Sequence, residues 1–179
     1  MARISRILSR NIGPEPSLLP VYAATLLLIF HGFTVAYINS SYLEQFIPAT
    51  GVGTIYTIGS AVSVLLFLFV SRVLRRVGNL KLTMALLIAN GLALIGMAFA
   101  DSLRVAVPLF LVHLIALPLL IFNLDVFMEA KIGNNETVTG SRRGLLLTLS
   151  SFIGAIAPLF GALLVEQAGG GFTTAYLVS

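Results

Sequence analysis

Three ionisable side chains fall inside long apolar stretches of this 179-residue sequence: His31, His113 and Asp125. Such a group costs about 2.5–3.5 kcal/mol in a membrane-spanning segment even on insertion scales, so each is a candidate for function. His31 lies 13 residues in from Leu18, and His113 lies 14 residues from Phe127 on an oppositely directed run. At 1.5 Å per residue both sit about 20 Å from the same membrane face. Two imidazoles at one level can bind a solute or take up a proton, because histidine titrates near neutral pH. The plainer role for each is a hydrogen bond to a neighbouring helix. Tyr22, Thr25, Thr34, Tyr37 and Asn39 on the same run as His31, and Asn123 near Asp125, are polar groups that can complete a cavity lining. For the threonines, bonding back to the helix's own carbonyls is the simpler use.

Asp125 and Glu129 are spaced i, i+4 and share one helical face. Two carboxylates there need cations. Arg72, Arg75 and Arg76 end the second apolar run on the same membrane side, and Arg142 and Arg143 begin the fifth. The expectation is that Asp125 pairs with an arginine of the 72–76 cluster; the alternative is that those arginines anchor independently among lipid headgroups. No catalytic spacing joins these groups. There is no GxxxxGK[ST] phosphate loop, no HExxH, no dense acidic cluster and no cysteine. Catalytic residues, cofactors and a metal site are therefore not expected, and "GGGF" at 169–172 is too short to cradle phosphate.

The elements that must hold these residues are membrane helices. The sequence is 58% hydrophobic and 10% charged, with a mean hydropathy of +1.00. A soluble domain carries about 25% charged residues, so this chain lacks the polar cover for water. Five runs reach the roughly 20 residues that cross a hydrocarbon core: 18–39, 52–70, 82–100, 105–127 and 145–165, with a partial sixth from 172. Backbone groups in lipid must be paired within the segment, which makes the runs helices. The predicted fold is an all-α, polytopic transmembrane helix bundle, with a polar tail at 1–17 and a transmembrane domain at 18–179.

Charge sets the orientation. The tail holds Arg3, Arg6 and Arg10; the second connection holds Arg72, Arg75, Arg76 and Lys81; the fourth holds Lys131, Arg142 and Arg143. Only Arg104 lies on the other side, so ten of the 11 cations mark one face. The positive-inside rule then predicts a cytoplasmic N-terminus in an inner or plasma membrane. The cations are scattered in short connections without interleaved aromatics, so nucleic acid is not an expected partner; membrane lipid is.

Residues 71–81, "SRVLRRVGNLK", form the basic connection between the second and third runs. Aligned on Gly78, they resemble the G-x-x-x-D-R-x-G-R-K motif of the major facilitator superfamily of secondary transporters. Ser71 stands for the first glycine, Arg75 for the aspartate and Arg76 for the arginine, while Lys81 comes one position late. "GAIAPLFGALL" is similar to the family's fifth helix in its small residues around a proline: Gly154, Ala157, Pro158, Gly161 and Ala162. "TGSRRG" before it resembles the family's approach to that helix. The resemblance implies a truncated six-helix half of a twelve-helix transporter built from inverted repeats, with a missing second half as partner. It further implies a small-molecule substrate moved by alternating access, possible coupling to protons, and a central cavity lined by helices one and four. Arg72, Arg75, Arg76, Gly78, Asp125 and Glu129 would form a cytoplasmic latch, charge-exchanged at Arg75. Competing expectations are an integral-membrane lipid-modifying enzyme and a non-catalytic membrane subunit.

Overall fold

The computed structural model describes residues 18–132, 136–166 and 171–179, and the described residues fold into six α-helices. These are α1 (Leu19–Glu44), α2 (Ala49–Val77), α3 (Asn79–Ala98), α4 (Leu103–Ile132), α5 (Glu136–Glu166) and α6 (Gly171–Val178). The predicted polar tail at 1–17 lies outside the described residues. The first five helices are long and apolar enough to cross a membrane. Their outward faces carry large apolar side chains such as Leu68, Leu92, Phe152 and Leu159. Apolar surface on that scale has no place in water, and the protein is membrane-embedded.

The helices outrun the apolar stretches that predict them. α2 continues through Arg72, Arg75 and Arg76 to Val77, and α3 begins at Asn79. The basic stretch 71–81 is therefore not an open loop; it is helix on both sides of Gly78. That residue has φ 87° and ψ 150°, a conformation essentially reserved for glycine. Its N–H donates to the Leu74 carbonyl at 2.9 Å, and its own carbonyl accepts from the Leu82 N–H at 3.2 Å. One residue thus ends one helix and starts the next. A Cβ at Gly78 would meet nothing within 4 Å, so the demand is conformational rather than steric.

α4 is the centre of the bundle and packs against α1, α2, α3 and α5. Its leucines enter glycine notches on three neighbours: Leu117 at Gly32 of α1, Leu114 at Gly59 of α2 and Leu109 at Gly96 of α3. A Cβ at Gly32 would stand 3.0 Å from Leu117, and one at Gly96 would stand 2.6 Å from Leu109. Small residues allow this approach where no hydrophobic force drives helices together in lipid. The predicted small-residue face of α5 is used in the same way against α1. Ala157 is buried, Gly154 faces the Phe33 ring, and a Cβ on Gly161 would strike the Thr34 carbonyl oxygen.

The two ends of the bundle differ. At the end opposite the basic connections, a continuous core joins Tyr42, Leu43, Met97, Phe110 and Tyr176. Tyr42 Oη donates to the Met97 carbonyl at 2.9 Å, Tyr176 Oη donates to Asn39 Oδ1 at 2.8 Å, and Thr173 Oγ1 donates to the Ala98 carbonyl at 2.8 Å. The first ties α1 to α3, and the other two seat α6 on both.

Candidate functional site

The two histidines meet. Their ring centroids are 5.6 Å apart, edge to face, with an interplanar angle of 85°. α1 and α4 thus bring the two rings side by side in the bundle. His113 is 1% exposed, and its Nδ1 lies 2.8 Å from Asn90 Oδ1 of α3, also buried. The tautomer that protonates Nδ1 makes this a donated bond. His31 Nε2 is buried without a hydrogen-bond partner, and the Ser179 backbone reaches the same ring. Asn90 is the residue that sequence reasoning missed. The available signal was a lone amide in the middle of "LLIANGLAL", but only packing tells which way it faces.

Asn90 belongs to a longer polar face. α3 and α4 are antiparallel, and Asn79 Nδ2 donates to the Asn123 carbonyl at 2.9 Å, nearer the basic end. Along the interior, Asn79 Oδ1, Thr83 Oγ1, Ser63 Oγ and both amide atoms of Asn123 are buried without partners. Asn123 therefore keeps an unused amide inside the protein. By contrast, Thr25 and Thr34 donate to carbonyls one turn back, Val21 and Phe30, each at 2.8 Å, as the simpler reading of these hydroxyls expected. Tyr37 is 64% exposed on α1 and stands away from the buried histidine pair.

The carboxylates find a different cation from the one predicted. Arg143 Nη2, at the start of α5, donates to Asp125 Oδ2 at 2.8 Å and to Glu129 Oε1 at 2.5 Å. The i, i+4 spacing on α4 presents both oxygens to one nitrogen, so a single arginine serves the pair. The 72–76 cluster does not supply the partner for Asp125. Arg72 instead lies over the Phe69 ring, 5.9 Å from its centroid, and Arg75 and Arg76 are exposed at the end of α2. The physical reason is facing: the arginines at the end of α2 are exposed, while Arg143 at the start of α5 reaches the face of α4 that carries both carboxylates.

Between these two groups lies a cavity of about 410 Å³ bounded by α1, α2, α4 and α5. Asp125 forms part of its wall near the basic end, and Thr25, Ile29, Phe67, Pro118, Phe122 and Ser150 are among the rest. The histidines do not line it: His113 is five residues from Pro118 along α4, and His31 two beyond Ile29 along α1. Pro118 has no N–H to give, so the carbonyl of Leu114 loses its helical partner beside the cavity's inner end. Among the described residues, no group of three or more metal-ligating side chains is assembled. Comparison with known proteins finds no match: no family model, no curated relative and no solved structure aligns with the chain.

Proposed function

We propose that this chain is a six-helix half of a secondary transporter of the major facilitator type, moving a small solute by alternating access. The observation that carries the reading is the 410 Å³ cavity inside the membrane-spanning part, walled by four helices and bordered by a carboxylate. That volume falls in the usual range for small-molecule sites, about 300–1,000 Å³. A tightly packed far end and a cavity nearer the basic end fit one face of a rocking cycle. In this reading the N-terminus is cytoplasmic, and a second six-helix half completes the solute path. His31 and His113 then act as a proton-binding pair behind the cavity, and the Asp125–Glu129–Arg143 cluster acts as the latch at its mouth. An interfacial enzyme would want its acids and arginines available to substrate; mutual pairing of Asp125, Glu129 and Arg143 favours the transporter.

The test is solute and proton flux in proteoliposomes that carry the chain together with whatever second half completes it. His113→Gln and His31→Gln should each cut proton-driven uptake at least tenfold while leaving the protein inserted. Unchanged uptake with unchanged pH dependence in both variants overturns the proton-coupling role. Absence of flux for every solute class, with correctly inserted protein, overturns the transporter reading.

A further inference from the structure

We infer that the α1–α2–α4–α5 cavity binds a lipophilic monocation, with its charge at Asp125 and its apolar groups against Phe67 and Phe122. The inference deepens the transporter reading by naming a substrate class, and it rests on that reading for the translocation step after binding.

The wall chemistry selects the class. Among the described residues, Asp125 is the one ionisable group on the cavity surface, where it is accompanied by the hydroxyls of Thr25 and Ser150 and otherwise by apolar side chains. Both hydroxyls are committed to their own helices: Thr25 donates to the Val21 carbonyl at 2.8 Å, and Ser150 donates to the Leu146 carbonyl at 2.7 Å. The side-chain donors of the wall are therefore spent, and what it presents to a ligand is acceptors only: two hydroxyl oxygens and one carboxylate, which also accepts from Arg143. An anion would meet that charge directly. A strongly polar neutral solute would leave most of its hydrogen-bonding groups unpaired against leucine, isoleucine and phenylalanine.

Charge balance points the same way. Asp125 and Glu129 carry two negative charges, and the guanidinium that bridges them carries one positive charge through a single nitrogen. These three groups together keep a net negative charge beside a largely apolar space. Phe67 and Phe122, both on the cavity wall, stand edge to face with centroids 5.7 Å apart at 87°. An aromatic face attracts a cation with apolar substituents, and a delocalised or alkylated cation sheds its hydration more cheaply than an ammonium. A single carboxylate matches a single charge. Binding would also set the cation against Arg143 for Asp125, which couples occupancy of the cavity to release of α5 from α4.

The experiment compares two molecules of one shape. Methyltriphenylphosphonium and triphenylphosphine oxide share three phenyl groups and differ in charge. Equilibrium binding of each, radiolabelled, is measured on the full chain in lipid nanodiscs, with empty nanodiscs subtracted. The cation should bind saturably and at least tenfold tighter than the neutral analogue, and Asp125→Asn should erase that preference. Equal binding of the two molecules, a preference that survives Asp125→Asn, or a signal no greater than that of empty discs each overturns the inference. If Asp125→Asn does not insert, Arg143→Gln serves in its place. Removing the competing guanidinium should tighten cation binding at least threefold and leave the neutral molecule unchanged, and unchanged or weaker cation binding overturns the inference. Selective binding without flux would sustain the site and count against transport; flux without cation preference would do the reverse.

Discussion

Asn90 and His113 form the polar contact on which the buried interior turns, and each makes sense only with the other. An amide or an imidazole buried alone is costly, whereas a bonded pair links α3 to α4 at the level where α1 brings His31. Hydrogen bonds between membrane helices average about 0.6 kcal/mol and reach about 1.7 kcal/mol. Asn90→Ala, which also strands His113 Nδ1, should cost about 1 kcal/mol, seen as a lower midpoint in thermal unfolding of the detergent-solubilised protein. An unchanged midpoint would mean that the pair contributes nothing to stability. The histidines were legible in the sequence because they are the only two and sit at matched depth. Asn90 was not, because an amide in an apolar run shows its polarity but not its facing. The same limit explains the misassigned partner of Asp125. Sequence places the arginines of α2 and of α5 on one membrane side, and only the path of each helix decides which side chain arrives.

At the scale of elements, close approach is made by glycine rather than by long complementary surfaces. Leucines of α4 fill notches on three neighbours, and Gly161 lets α5 touch the backbone of α1. Not every glycine does this. A Cβ on Gly144, also in α5, would meet nothing within 4 Å. The two positions should therefore respond oppositely to alanine. Gly161→Ala must push α5 away from the Thr34 carbonyl and should destabilise by about 1–3 kcal/mol, the range for overpacking. Gly144→Ala should stabilise by up to about 1 kcal/mol through helix propensity alone. Thermal unfolding of both variants in one detergent checks the contrast. Helix existence was readable from apolar length, and the small-residue pattern of α5 from its spacing. The ends were not readable. Charged residues at 71–77 look like a loop in hydropathy, yet a 29-residue helix is about 44 Å long and carries its last turns past the hydrocarbon.

The whole molecule is a bundle with a packed end and a cavity-bearing end, and the proposed cytoplasmic N-terminus rests on the positive-inside rule applied to the cations of the sequence. Because the chain has no cysteine, it offers a clean background for testing this placement. Ser71→Cys and Ser141→Cys should react with an impermeant maleimide only from the cytoplasmic side, and Thr50→Cys only from the other side. All three positions are exposed, so reversed labelling would invert the topology. What the sequence by itself determined is what depends on one dimension: how many apolar runs there are, that they are helical, how far along its run each ionisable group lies, and which connections carry charge. Those are matters of composition and of rise per residue. What only the tertiary structure decided depends on rotation about helix axes and on the direction each helix takes from its neighbours. It joined His113 to Asn90, gave Asp125 and Glu129 to Arg143 instead of to Arg72, Arg75 or Arg76, turned Tyr37 outward, and left a cavity between α1, α2, α4 and α5. Each of these is a relation between segments distant in sequence, and hydropathy along a chain carries no information about which faces will meet.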